Sequence, residues 1–267
     1  MSNIIKEFRI ILEILRTHLA AAREIRSAFA LQVVGMMINN IALALVWIFF
    51  FEAFGKIQGW TSMEYIAMLG MSALAFGISF TFMNGSSVLS EYVYNGTLDQ
   101  FLLCPRPLYL RILTSRIGVS AIGDIFFGLI LLAIYGVWAQ ASLLTMTMLL
   151  SLTLPAALLM SNVSLATSLV SFFIPDAHSI AHNLFEVFLS PSLYPGGLFQ
   201  GALRFVFVFI IPSLLVGGLP AEAAIANNGW LYLFIWAMAA AWTAFTLMLL
   251  GKAVKRYESG NLTGARV

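Results

Sequence analysis

Long apolar runs separated by short polar clusters set the plan of this chain. A helix needs about 20 mostly apolar residues to cross the hydrocarbon of a bilayer. Six segments meet that requirement: 28–51, 65–89, 112–138, 143–173, 203–219 and 229–254. The fourth is overlong and holds Pro155, which predicts a kink or a start in the headgroup layer. The fifth is short and carries Pro212. An even number of spans puts both termini on one side. The pattern predicts an all-α integral membrane protein with six transmembrane helices, the membrane domain covering 28–254 and a tail 255–267 following it.

Ahead of the first span, residues 1–27 have a different period. At 100° per residue, Ile4, Ile5, Phe8, Ile11, Leu12, Leu15 and Leu19 fall on one face. Lys6, Arg9, Glu13 and Arg16 fall opposite, while Ile10 and Ile14 interrupt the separation. Such an amphipathic helix lies in the headgroup plane and leads into the first span. A simple membrane anchor accounts for the pattern equally well.

Composition agrees. Of 267 residues 61% are hydrophobic and 10% charged, with a mean hydropathy of +0.93; a soluble domain carries about 25% charged residues. Lipid is therefore the main solvent. One cysteine, Cys104, excludes an intrachain disulfide framework and a multi-cysteine metal site. The opening stretch MSNIIKEFRIILEILR alternates charge with apolar residues, so no cleavable signal is expected.

The placement of charge orients the spans. Lys6, Arg9, Arg16, Arg23 and Arg26 precede the first span; Arg106, Arg111, Arg116 and Arg204 fall in connections on the same side, and Lys252, Lys255, Arg256 and Arg266 follow the last span. Only Lys56 falls on the other side, giving thirteen against one. Basic residues concentrate on the cytoplasmic side, so both termini and the 90–111 loop are expected there.

Catalytic signatures are missing. Gly55-Lys56 and Gly251-Lys252 lack the upstream glycine and following Ser or Thr of a phosphate-cradling loop, and neither Gly-x-Ser-x-Gly nor His-Glu-x-x-His occurs. Three polar groupings have chemical potential. His178, His182 and Glu186 are four apart and share a helical face, a spacing a divalent metal can use. Without further ligands the polar face of a short helix on the cytoplasmic surface explains them better, and no metal is assigned. Asp124 lies inside the third span, where it reads as a structural ion pair with Arg204 or Arg116 in preference to a proton relay. Ser161, Ser164, Ser168 and Ser171, with Asn162 and Thr167 beside them, form a stripe that either packs helices closely or lines a path for an amphipathic substrate. Ala73, Gly77 and Gly128 read as close-packing points.

The stretch EYVYNGTLDQFLLCPRPLYLRIL, residues 91–113, is the most polar insert between spans. Gly96 permits a sharp turn, Asp99 can cap a short helix, and Phe101, Leu102 and Leu103 offer an apolar edge. Pro105 and Pro107 then stop the helix and stiffen the exit. A short rigid helix held between two spans is suited to receive a push.

Three stretches resemble the permease subunits of type-2 ATP-binding-cassette exporters, in their six-span bacterial branch. EYVYNGTLDQFLLCP is similar to that branch's acidic residue, Gly-Thr-Leu-Asp, Leu-Leu and Pro; where members often have a basic residue before the proline, Cys104 stands here and Arg106 follows. SLYPGGLFQGALRFVFVFIIPSLLVGGLP resembles its Tyr-Pro, Leu-Arg, Ile-Pro series, and AVKRYESGN its basic-basic-Tyr-Glu-Ser ending. The resemblance implies that Glu91, Gly96, Thr97, Leu98, Asp99, Pro105 and Arg106 form the turn and docking element for a separate ATPase. It makes 1–27 the connecting helix and Pro212 to Glu222 the region before the external connection to the last span. Two ATPase copies would bind ATP and Mg while this chain binds no cofactor. A second permease, identical or related, would complete the path across a bacterial cytoplasmic membrane; no nucleic acid partner is expected. A secondary, ion-coupled transporter is the alternative, but the inverted repeat it calls for is not evident between 28–138 and 143–254. A tag placed after Val267 should be labelled in intact cells only after permeabilisation; labelling from outside would reverse the orientation.

Overall fold

The computed structural model describes residues 26–103, 107–174 and 176–257, with Glu13, Arg16, Thr17 and Ala20 ahead of them. The expected amphipathic arm thus lies almost wholly outside the described residues; within it Arg16 donates to Glu13 at 3.4 Å. Among the described residues every regular element is helical. The chain runs through α1 (Arg26–Phe54) and α2 (Ser62–Phe82), then three short helices, α3 (Leu89–Tyr94), α4 (Asp99–Leu102) and α5 (Leu108–Leu113). Next come α6 (Ala121–Trp138), α7 (Leu143–Ser168), α8 (His178–Ser192), α9 (Gly201–Phe205), α10 (Gly218–Ile225) and α11 (Gly229–Val254). Helices α1, α2, α6, α7 with its 3-10 extension to Phe172, and α11 are long and apolar enough to cross a membrane, five among the described residues.

Three of these helices start at one end of the bundle, and each is capped by a side chain. Thr61 and Glu64 form a reciprocal capping box at α2, with the Thr61 amide donating to the Glu64 carboxylate at 2.7 Å. Ser142 accepts the Thr145 amide of α7 at 3.1 Å, and Asn228 accepts the Trp230 and Leu231 amides of α11, both at 3.1 Å. These caps satisfy amides that no preceding turn can serve.

Helix α2 is central, with 78% of its span buried against 11% for α1. Its closest neighbour is α6, and glycine is what lets the backbones touch. A Cβ on Gly128 would lie 2.6 Å from both the Gly70 carbonyl oxygen and the Leu74 amide nitrogen. One on Gly77 would lie 2.6 Å from the Ile125 nitrogen. Gly77 and Gly128 are two of the expected packing points, and Gly70 is a third that only the structure reveals. Helix α7 covers another face of α2, where the hydroxyls of Ser79 and Ser161 meet at 2.6 Å.

The expected span 203–219 does not form one helix. After α9 the backbone widens into a π turn (Val206–Ile210), breaks at Pro212, makes a 3-10 turn (Ser213–Leu215) and returns as α10. Proline has no amide to donate and clashes with the preceding turn, so the run folds back as a hairpin. Its two legs are joined by Arg204 donating to Glu222 at 2.7 Å. The segment expected as a surface helix, α8, is instead packed along α7 with Phe185 and Phe188 buried. It runs from Ser87 and Ser168, beside His178, to the far end, where Tyr65 donates its hydroxyl to the Leu193 carbonyl at 3.2 Å.

This arrangement moves one charge. Glu222, the partner of Arg204, shares a cavity of about 500 Å³ with Gln58 and Trp60, while Gln58 and Lys56 line a neighbouring groove. Arg204 therefore sits at the Lys56 end, and the residue count becomes twelve against two. The bias keeps its direction.

Gly128→Ala should lower the thermal midpoint of the purified protein strongly, because overpacking costs about 1–3 kcal/mol and the obstacle here is backbone. Gly136→Ala, whose Cβ would meet only the flexible Met146 side chain at 3.3 Å, should leave it nearly unchanged. Equal midpoints for the two would contradict the close α2–α6 approach.

Candidate functional site

Residues 83–103 and 107–120 close the end of the bundle opposite the capped helix starts. They are fastened to α2 by the Gly118 amide, which donates to the Phe80 carbonyl at 2.9 Å. A 3-10 turn over Asn84–Ser86 rests on α5 so closely that a Cβ on Gly85 would fall 1.7 Å from the Ile112 carbonyl oxygen.

Within this unit the Gly-Thr-Leu-Asp turn joins α3 to α4. Gly96 has φ +71°, a left-handed conformation that costs a side chain dearly. The Leu98 amide donates to the Tyr92 carbonyl at 3.1 Å, and the Thr97 hydroxyl to the same oxygen at 3.4 Å. Asp99 does not cap α4 as expected: Leu98 holds the N-cap position and Asp99 is the first helical residue. Its carboxylate still favours the positive helix start and lies by the Tyr257 hydroxyl just past α11. Burial first, and Asp99 second, push the Tyr257 phenol up to about 12.

The other end of α4 is closed by Arg111. Its guanidinium donates to the carbonyls of Phe101 and, at 3.2 Å, Gln100, while lying 5.2 Å from the centre of the Phe101 ring. The last carbonyls of so short a helix have no other partner in the helix, so Arg111 substitutes for the missing turn. Tyr92 also packs on Phe101, with ring centres 5.1 Å apart. Glu91 accepts from Arg116 at 3.3 Å, an exposed pair that adds little stability.

Leu98 ties the turn to the bundle. It is fully buried with Leu89, Ile112, Leu113, Leu165, Leu169 and Leu250, a cluster drawn from α3, α5 and the ends of α7 and α11. Facing the other way, Tyr94, Gln100, Leu102 and Leu103 are exposed, Leu103 at 86%. Pro105 and Arg106 lie outside the described residues.

A polar contact reinforces the apolar one. Asn162 of α7 is completely buried, accepts the Tyr109 hydroxyl of α5 at 2.8 Å and donates to Thr243 of α11 at 2.9 Å. The neighbouring serines have separate partners. Ser161 meets Ser79, Ser168 donates to the Ser86 carbonyl at 3.0 Å, and Ser171 donates within its own turn to Ser168 at 2.7 Å. Ser164 lines a small cavity with Thr167, His178 and His182.

Asp124 and Arg204 are not paired. The Asp124 carboxylate accepts from Asn40 of α1 at 2.6 Å, while Arg204 bonds Glu222 and Arg116 bonds Glu91. The cause is again a glycine: a Cβ on Gly123 would lie 2.4 Å from the Val33 carbonyl oxygen, so α1 passes close enough for Asn40 to reach. His182 stands 4.0 Å from Glu186, and among the described residues no group of three His, Cys, Asp or Glu converges for a metal.

Arg111, Tyr109, Asn162 and Asn40 have roles that sequence reading missed. An asparagine inside a long apolar span was the available signal, since a buried amide must be hydrogen-bonded; Arg111 was visible only as a positive charge.

Five membrane-length helices with no strand among the described residues, closed at one end by a compact unit of short helices, define a multi-pass membrane protein. The chain belongs to the ABC-2 family transporter proteins, whose family model matches residues 37–261. It is an ABC transporter permease, a membrane transport component rather than a catalytic one. No curated protein and no solved structure matches it.

Asn162→Leu, which keeps the volume but strands the Tyr109 hydroxyl and removes the bond to Thr243, should cost about 1–3 kcal/mol, read as a lower unfolding midpoint. Tyr109→Phe should cost less. No change with Asn162→Leu would remove the link between α5, α7 and α11.

Proposed function

We propose that this chain is the membrane-spanning subunit of an ATP-driven exporter and that the unit around α4 receives the work of a separate ATPase. The observation that carries this reading is the two-sidedness of the Gly96–Leu103 element. Leu98 is buried among the ends of α7 and α11, while Leu102 and Leu103 are exposed on the other side. A force on the outer edge would pass through the buried leucine to two spans at once.

In this reading the end bearing the unit is cytoplasmic, in keeping with twelve basic residues against two. Both termini lie there, the membrane is the bacterial cytoplasmic membrane, and α8 is the fifth of six crossings. The hairpin of α9 and α10 would re-enter from outside. Two ATPase copies with ATP and Mg would bind at the exposed leucines, and their closure would switch access between the two faces. Such a switch follows from ATP binding one state of the assembly better than the other. A second permease, identical or related, would sit against α1. Gln32, Gly35 and Asn39 are exposed on that helix, and the two amides have no side-chain partner among the described residues. Amides in hydrocarbon gain by bonding to a neighbouring helix. The substrate path would run between the two permeases.

Gly96→Val forces a β-branched residue into a left-handed conformation, and Leu103→Asp puts a charge on the outer edge. Each should insert normally yet lower ATP-dependent transport by about tenfold or more, the scale of a lost interface anchor. Full transport by both would refute the coupling assignment.

A further inference from the structure

A cavity of about 170 Å³ opens between α7 and α8 at the end bearing the coupling unit. Its walls are of two kinds. Val88, Ala181 and Phe185 are apolar, whereas Ser87, Ser164, Thr167, Ser168, His178 and His182 bring hydroxyls and imidazoles. No carboxylate is among them. Glu186, one turn beyond His182 and 4.0 Å from it, lies outside the walls.

Two independent features point to an acceptor-rich ligand. The first is the start of α8. This helix of 15 residues begins at His178 with no side-chain cap, its first three amides have no hydrogen-bond partner among the described residues, and helix starts attract anions. The second is Ser164. It is 2% exposed, lines the cavity, and its hydroxyl makes no hydrogen bond to any described residue. A buried hydroxyl is normally bonded. The other hydroxyls are committed: Ser87 to Asn84, Thr167 to the Ser164 carbonyl and Ser168 to the Ser86 carbonyl. What remains is Ser164, the two imidazoles one turn apart and the helix amides, a set of donors around one space.

We propose that this cavity binds a phosphate ester, with Ser164, His178, His182 and the first amides of α8 donating to its oxygens and the Val88–Phe185 wall meeting an attached apolar chain. The same chemistry suits the headgroup of a phospholipid and a free phosphate. Which leaflet would supply the lipid rests on the orientation proposed above; the binding itself does not depend on ATPase coupling.

The test uses the purified chain in dodecyl maltoside. Native mass spectrometry would follow retention of phosphatidylglycerol and of a phosphate-free galactosyl diacylglycerol with the same chains, and calorimetry would follow inorganic phosphate. Phosphatidylglycerol should be retained about tenfold better than the glycolipid. That preference should vanish in His178→Ala/His182→Ala and in Ser164→Ala, a loss on the scale of one or two hydrogen bonds. Ser190→Ala, on the exposed side of the same helix, should retain it. Phosphate binding with the same residue dependence but no lipid retention would support the site and name free phosphate as the source. Ser164→Ala removes a single oxygen, so the test holds even where the double variant unfolds. Equal retention of the two lipids without phosphate binding, or a preference unchanged by Ser164→Ala and the histidine variants, would overturn the proposal.

Discussion

The burial of Leu98 is the contact on which the proposed transmission depends. A leucine fully removed from water contributes about 1.5–3 kcal/mol, enough to hold a turn that has few other reasons to stay in place. Gly96 makes the bend that points Leu98 inward, and Arg111 closes the helix that follows. On the inner side of the leucine are Leu165 and Leu169 of α7 with its extension and Leu250 of α11. The loop is therefore an extension of two spans. Tyr109, Asn162 and Thr243 repeat the same linkage with hydrogen bonds, and these resist sliding because a displaced amide would be left unpaired in a dry interior.

Behind the unit, the bundle is arranged to behave as one body. At Gly70, Gly77 and Gly128 the backbones of α2 and α6 come into direct contact, with Leu74, Ile125 and Leu131 packed against the glycines. Close-packed interiors transmit strain. By contrast α1 buries only Val33, Ala44 and Phe51, and meets the bundle near Gly123, through Asn40 to Asp124, and through Trp47 and Phe51 to Tyr65. Most of its surface is left exposed, with 11% of its span buried against 78% for α2.

Much of this plan could be read from residue pattern. Five of the six expected segments hold a helix long and apolar enough to cross a membrane, though α2 stops at Phe82 and α6 starts at Ala121, inside the expected 65–89 and 112–138, because continuous apolar length is a property of neighbouring residues. The Gly96 turn was legible for the same reason. The failures came where the structure depends on distant residues. The run 203–219 has the composition of a span, but Pro212 and the Arg204–Glu222 contact fold it into a hairpin. Helix α8 looked polar because His178, His182 and Glu186 dominate its sequence, whereas its packing is decided by Phe185 and Phe188. Asp124 finds its partner 84 residues away, on a helix brought close by a glycine. Opposite charge was a poor guide there, since Arg204 lies at the other end.

Spin labels at Leu103 and Lys252 would measure whether the loop and the end of α11 move together when ATP binds the assembled transporter. The distance between these two sites within one chain should stay constant, while the Leu103 distance between the two permeases changes. A within-chain distance that widens on ATP binding, with the end of α11 left behind, would contradict transmission through Leu98.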